Sequence, residues 1–358
     1  MQENVILYGK EIPITRGGML DLSNQGLSDI SKVEQLEDQV NLKYLVLNNN
    51  KIANFDTFEC LKNLPKLHFL SLNNNQITNF KGLNHLKNID TLVCTNNKIK
   101  ELAGLENLTS LKSLNLSSNW IFELDGLESL KKLEELNLSY NHIQVIKGLE
   151  ELKKLSRLNL AHNDPAEIRG LKGLKELNSL DLEYNHISKI QGLDSLKLLS
   201  TLNLEGNQIT RIEGLESLTK LRDLNLNNNE IKVITGLESL RELQFLRLSH
   251  NHIKKIEGLR SLDMLEYLKL DNNKISKVIG NEFPSNLRFV LLANNQINEI
   301  QDLPLNKTTF HLEGNQISSM AGLDYHLRKI QVYLFENPVM DEVIKEYPRW
   351  EAIKRYWE

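Results

Sequence analysis

Cysteine is almost absent: two occur in 358 residues, at positions 60 and 94. So few thiols exclude a disulfide-stapled scaffold and fit a reducing compartment. Long apolar runs are missing too, and nothing approaches the ~18 residues that a membrane-spanning helix needs. The N-terminal stretch MQENVILYGKEIPIT has no positive segment and one short apolar run, VILY, which is not a signal-peptide pattern. Neither sign of charge dominates. Lys and Arg number 43 against 47 Asp and Glu, for a net charge of -4. That leaves no basic field for nucleic acid and no polybasic membrane signal. No P-loop, G-x-G-x-x-G, H-E-x-x-H or nucleophile elbow occurs.

What the chain has in abundance is asparagine at a fixed interval. Asn75, Asn97, Asn119, Asn141, Asn163, Asn185, Asn207, Asn229, Asn251, Asn273 and Asn295 are each 22 residues apart. Asn50 lies 25 before the first of these, Asn315 lies 20 after the last, and Asn337 follows 22 later. The stretch 133–155, LEELNLSYNHIQVIKGLEELKKL, shows the unit. Leu136 and Leu138 alternate at period two and share one side of a short strand. Asn141 follows where the chain turns inward. Its amide both donates and accepts, so it can bond backbone groups left over by the turn. Ile143, Ile146, Leu149 and Leu152 continue the apolar set, and Gly148 permits a tight bend. One such rung cannot bury its apolar side, but a stack can. A stack also explains how 358 residues form a single array without an oversized core.

The pattern divides the chain into a non-repeating segment at 1–19, an array at 20–337 of about 15 rungs, and a tail at 338–358. VILY and EIPIT flank Gly9-Lys10 as a hairpin that would cap the first rung. That rung is degenerate, with Gln25 in place of the asparagine. Residues 31–40 read as a short helix with Val33, Leu36 and Val40 on its apolar face. An insertion between Asp56 and Leu64 reads as helical and buries Cys60, while Cys94 replaces a core leucine on a strand. Pro165 takes a usual isoleucine position. The irregular zone 278–310 predicts a bend or twist. The tail reads as a helical cap, with Val343, Ile344, Tyr347, Trp350, Ile353 and Trp357 as its apolar face. Four N-x-S/T sequons, at Asn107, Asn115, Asn137 and Asn306, are expected by chance in so asparagine-rich a chain, and two of them fall on strands.

The motif L-x-x-L-x-L-x-x-N, carried over about residues 20–337, resembles the leucine-rich repeat proteins of the 22-residue class. That class includes the regulatory subunit family of type 1 protein phosphatase and, among secreted proteins, the internalins. The resemblance implies an α/β repeat solenoid: a curved horseshoe with a concave parallel β-sheet, short helices or turns on the convex side, and terminal caps. It also implies partner binding through the concave face.

Residues six, four and two positions before each ladder asparagine are expected to point outward from that sheet. Early rungs then expose Tyr44, Val46, Phe69 and Val93. Middle rungs expose Glu135, Asp181, Glu183, Glu205 and Asp223 against Arg157, with Tyr140, His162 and Tyr184 along one margin. Later rungs stack Phe245, Tyr267 and Phe289 beside Arg247, Lys269 and Leu291. Exposed aromatics flanked by charge are the usual anchors of an interface. The asparagine-rich column four before the ladder reads as solvating filler. His142, His186 and His252 follow ladder asparagines in separate rungs, too far apart for one metal. The expected function is a non-enzymatic, cytoplasmic or nuclear scaffold with a protein partner, no cofactor and no metal. A phosphatase regulatory subunit is the sharper version. A surface adhesion or recognition protein of the internalin type is the alternative.

Overall fold

A computed structural model describes residues 4–304, 307–329 and 331–357. The chain is a parallel-sheet β-solenoid of about 14 turns with few helices. It packs as two compact units, Met1–Asp181 and Leu182–Glu358.

In the first unit, each rung contributes one three-residue strand. Glu135–Asn137 pairs in parallel with Ser113–Asn115 on one side and Arg157–Asn159 on the other. Leu114, Leu136 and Leu158 stand in register and are buried. The residues flanking each of them on the strand face the other way and stay partly accessible. This is the alternation that period two requires. Asn115 and Asn137 lie on strands, as the sequence implies.

The ladder asparagines are buried throughout. Asn141 Oδ1 accepts the Ile121 N–H of the preceding rung at 3.0 Å. Its Nδ2 donates to the carbonyls of Leu116, Leu138 and Ser139 at 2.9–3.2 Å. The same set recurs at Asn119 and Asn75. One side chain therefore ties two rungs together at the point where the chain leaves the sheet and backbone groups lack strand partners. Pro165 stands where the other rungs supply an isoleucine N–H for this bond, and it has none to give.

Of the two arrangements expected on the outer side, most rungs use turns; Asp324–Lys329 is a short helix. Leu149, Leu152 and Leu155 are all buried. Leu152 N–H bonds the Leu149 carbonyl at 3.0 Å and Leu155 N–H bonds that of Leu152 at 2.9 Å. Leucine at every third position needs successive three-residue turns to face one side, whereas an α-helix of period 3.6 would swing the series away from the core.

The N-terminal hairpin is present, with Asn4–Leu7 antiparallel to Lys10–Pro13. The expected helix at 31–40 is not. Its place is taken by two single 3-10 turns, Ile30–Lys32 and Leu36–Asp38, separated by a two-residue strand, Val33–Glu34, that pairs with the hairpin. Val33 and Leu36 are buried, but Val40 is 50% exposed, because a broken segment cannot keep one helical face. The insertion forms a 3-10 helix, Phe58–Leu61, in which Cys60 is only half-buried. Burial pushes its thiol up to about 11. Cys94 is fully buried, one residue past the strand Thr91–Val93.

In the second unit, strands continue from Thr201–Asn203 to Val332–Tyr333. The irregular zone holds a second, two-stranded parallel sheet, Lys277–Ile279 with Glu299–Gln301, joined by a Lys277–Glu299 ion pair at 2.8 Å. The tail folds into helices Met340–Glu346 and Arg349–Trp357. Trp350 is 1% exposed, lies edge-on to Tyr333 and Phe335, and donates its indole N–H to the Leu327 carbonyl at 3.3 Å. The Asn306 sequon and the Trp357 side chain lie outside the described residues.

Candidate functional site

On the first unit's sheet, Tyr44 is exposed and Phe69 half-buried, with ring centroids 5.9 Å apart. His68 meets the Tyr44 ring edge-on at 4.8 Å. Further along, Glu135 is engaged by the Arg157 guanidinium in the next rung. A shallow hollow of about 330 Å³ runs here from Ser113 to Asp181, floored by the asparagine column. At the margin, Tyr140 is 56% exposed and stacks on His162, with centroids 4.1 Å apart. Both residues have positive φ, at 56° and 53°. Asn96 fills the equivalent place two rungs before Tyr140, and asparagine tolerates that conformation far better than tyrosine.

On the second unit's sheet, Glu183 accepts from Asn203 Nδ2 at 2.9 Å. Glu205 accepts from Asn225 at 2.8 Å and from Asn228 at 2.7 Å. Tyr184 is exposed, and its ring lies so close to Gly206 that a Cβ there would meet ring carbons at 2.6 Å. Gly206 is therefore the platform on which Tyr184 rests.

Asp223 and Arg247 form an ion pair across adjacent strands. The Arg247 guanidinium also lies 6.0 Å from the Phe245 ring centroid. Strand register places Tyr267 between Phe245 and Phe289. Phe245 and Tyr267 are 6.3 Å apart, and Phe289 is 47% exposed. Burial pushes the Tyr267 phenol up, with the Asp271 charge adding to it. Lys269 sits beside Arg247 and opposite Leu291.

Two features depart from the sequence reading. The acidic and basic zones are not separate, because Arg247 reaches back to Asp223. The asparagine column is also more than filler. Asn115, Asn137 and Asn159 each accept the N–H two residues on, at 2.8–3.1 Å, closing the end of the strand. Asn203 and Asn225 also hold the glutamates in place.

Sequence reasoning missed a hollow of about 480 Å³ beside the late aromatics, lined by Asp271, Leu291, His311, Glu313 and Phe335 among others. His311 bonds Glu313 Oε1 at 3.0 Å, while Oε2 is buried with no hydrogen-bond partner among the described residues. Burial raises the Asp271 carboxyl from its ordinary value, against the pull of the Ala293 N–H. The signal was present in the column two before each ladder asparagine, where Asp271 and Glu313 both stand. No group of three His, Cys, Asp or Glu side chains among the described residues is placed to hold a metal. Among them, no helix is long and apolar enough to cross a membrane.

Leucine-rich repeats are recognised directly along the chain, as pairs at residues 40–85, 131–173, 197–242 and 241–284 and as a single copy at 107–131. The chain belongs to the leucine-rich repeat proteins. It is similar in structure to an internalin from Listeria monocytogenes, with 26% identity and a TM-score of 0.72 over 87% of this chain and 96% of that one. It is similar also to a leucine-rich repeat protein from Leptospira interrogans, with 26% identity and a TM-score of 0.75 over 92% and 93%. With TLR13, solved in complex with ssRNA13, it shares the fold alone, at 22% identity and a TM-score of 0.70 over 89% of this chain and 54% of that one. No curated protein matches the chain significantly.

Proposed function

We propose that the protein is a non-enzymatic scaffold that binds a partner protein through the outward face of its sheet. The observation that carries this is the Phe245–Tyr267–Phe289 column. Two of its rings stand 37% and 47% exposed on strands held at both edges, with Arg247 and Lys269 alongside. Solvent-facing strand positions do not need phenylalanine for folding: the equivalent places from Thr91 to Asp223 hold Thr, Ser, Glu, Arg or Asp. A rigid sheet also loses little freedom when it binds. The hairpin before the array and the helices after it serve as caps, as the open ends of a repeat stack require.

Two occupants remain in contention. The 22-residue period fits a regulatory subunit of a protein phosphatase in a reducing cytoplasm or nucleus, where Cys60 and Cys94 would stay as thiols. The likeness to the Listeria internalin favours surface recognition instead. The test is crosslinked capture from native lysate and from intact cells, with wild type beside Phe245→Ser/Phe289→Ser. A protein held by wild type and lost by the variant supports sheet-face binding, and its identity chooses between the occupants. Equal capture by both baits rejects the sheet face.

A further inference from the structure

Trp120 and Phe122 lie on the outer turn of the first unit, away from the sheet. In the other rungs from Asn50 to Asn315, the position after the ladder asparagine is Lys, Gln, His, Asp or Glu. The position three after it is Ala, Thr, Lys, Gln, Ser or Asn. One rung alone puts tryptophan and phenylalanine there. Its backbone makes the same bonds as its neighbours: Trp120 N–H to the Ile99 carbonyl at 2.9 Å, matching His142 N–H to Ile121 at 2.9 Å. The fold therefore does not call for large rings at these positions. Nor are they buried, at 44% and 48% exposure.

The two rings are held in place. Lys100 lies over the indole, 5.5 Å from its centroid. Phe122 stacks on His142 with centroids 5.2 Å apart. Phe122 also forms a common wall between a hollow of about 640 Å³ and a smaller one of about 170 Å³. The larger hollow has an apolar floor at Leu102 and Ala103 and a rim carrying Glu101, Glu106, Glu123 and Asp125. Lys100 and Lys147 are the cations beside it, and Lys147 already lies 4.0 Å from Glu123 and 3.8 Å from Asp125.

We propose that this outer-turn patch is a second docking site, for a linear peptide segment that carries a bulky apolar side chain flanked by Lys or Arg. The larger hollow has the size of a small-ligand or side-chain pocket. The apolar residue would enter it against Phe122, and the flanking cations would meet the acidic rim. The same rim repels an anionic lipid surface.

The experiment is selection from a phage-displayed library of random 12-residue peptides on the full chain, followed by fluorescence-anisotropy titration of the selected peptides. Trp120→Gln/Phe122→Ser uses residues that other rungs carry at these positions, so the array should fold unchanged; circular dichroism checks this. The expected result is a selected pattern of bulky apolar plus Lys or Arg, with affinity reduced at least tenfold by the double variant and unchanged by Phe245→Ser. Peptides without that pattern, no enrichment, or equal binding to the double variant would overturn the proposal. So would self-association of wild type in sedimentation that the double variant abolishes, since the occupant would then be a second copy.

Discussion

Asn141 shows how much one side chain does in this fold. It accepts one backbone N–H and donates to three carbonyls, all buried. Alanine there would strand those groups away from water, at roughly 1–3 kcal/mol. Asn141→Ala should lower the urea midpoint accordingly. Asn137→Ala, which removes bonds to Ser139 alone, should cost less than half as much. Asp271 makes the opposite point. Its folded carboxyl titrates above 3.8, where the unfolded one titrates. Between those two points the folded state holds more protons, so this group's contribution to stability falls as pH rises through the folded pKa. Asp271→Asn keeps an acceptor for the Ala293 N–H and removes the half-buried charge. Thermal melts should show it at least as stable as wild type at neutral pH, with a weaker pH dependence on the acid side. The ladder was legible in the sequence because it repeats. The Asp271 hollow was legible only in part: spacing puts Asp271 and Glu313 in one column, but not which side chains meet across rungs.

At the scale of the rung, period decides structure. Alternating leucines give the strand and leucines at every third place give the outer turns, so both could be read directly. The segment at 31–40 carries helical spacing without a helix: its three apolar residues fit that spacing by accident, and its backbone bonds go elsewhere. The glycine before several of the outer turns is a matter of close approach. At Gly170, φ is +73° and an added Cβ would lie 2.3 Å from the Ile146 carbonyl oxygen. Gly170→Ala must shift one rung against its neighbour, and a loss of at least about 1 kcal/mol is expected in denaturant melts. Hydrogen exchange should localise the loosening to the rungs around Ile146.

For the molecule as a whole, the array is a set of columns, and function is read from the rungs that break them. Most outward positions hold polar or charged residues. Phe245, Tyr267 and Phe289 break the sheet columns, and Trp120 and Phe122 break the outer ones. The first break was visible once the strand register was known. The second lies in the sequence outside the sheet columns. The ion pairs across rungs, Glu135 with Arg157 and Asp223 with Arg247, were hidden, because long side chains reach a neighbouring strand about 4.8 Å away in directions that spacing does not give.

The most direct measurement of the central claim is calorimetric affinity of the captured partner for single variants on the two faces. Phe245→Ala and Phe289→Ala should each weaken binding about tenfold or more, or ~1.4 kcal/mol, while Lys232→Ser on the outer turn leaves it unchanged. Undiminished affinity in both sheet variants would contradict the account.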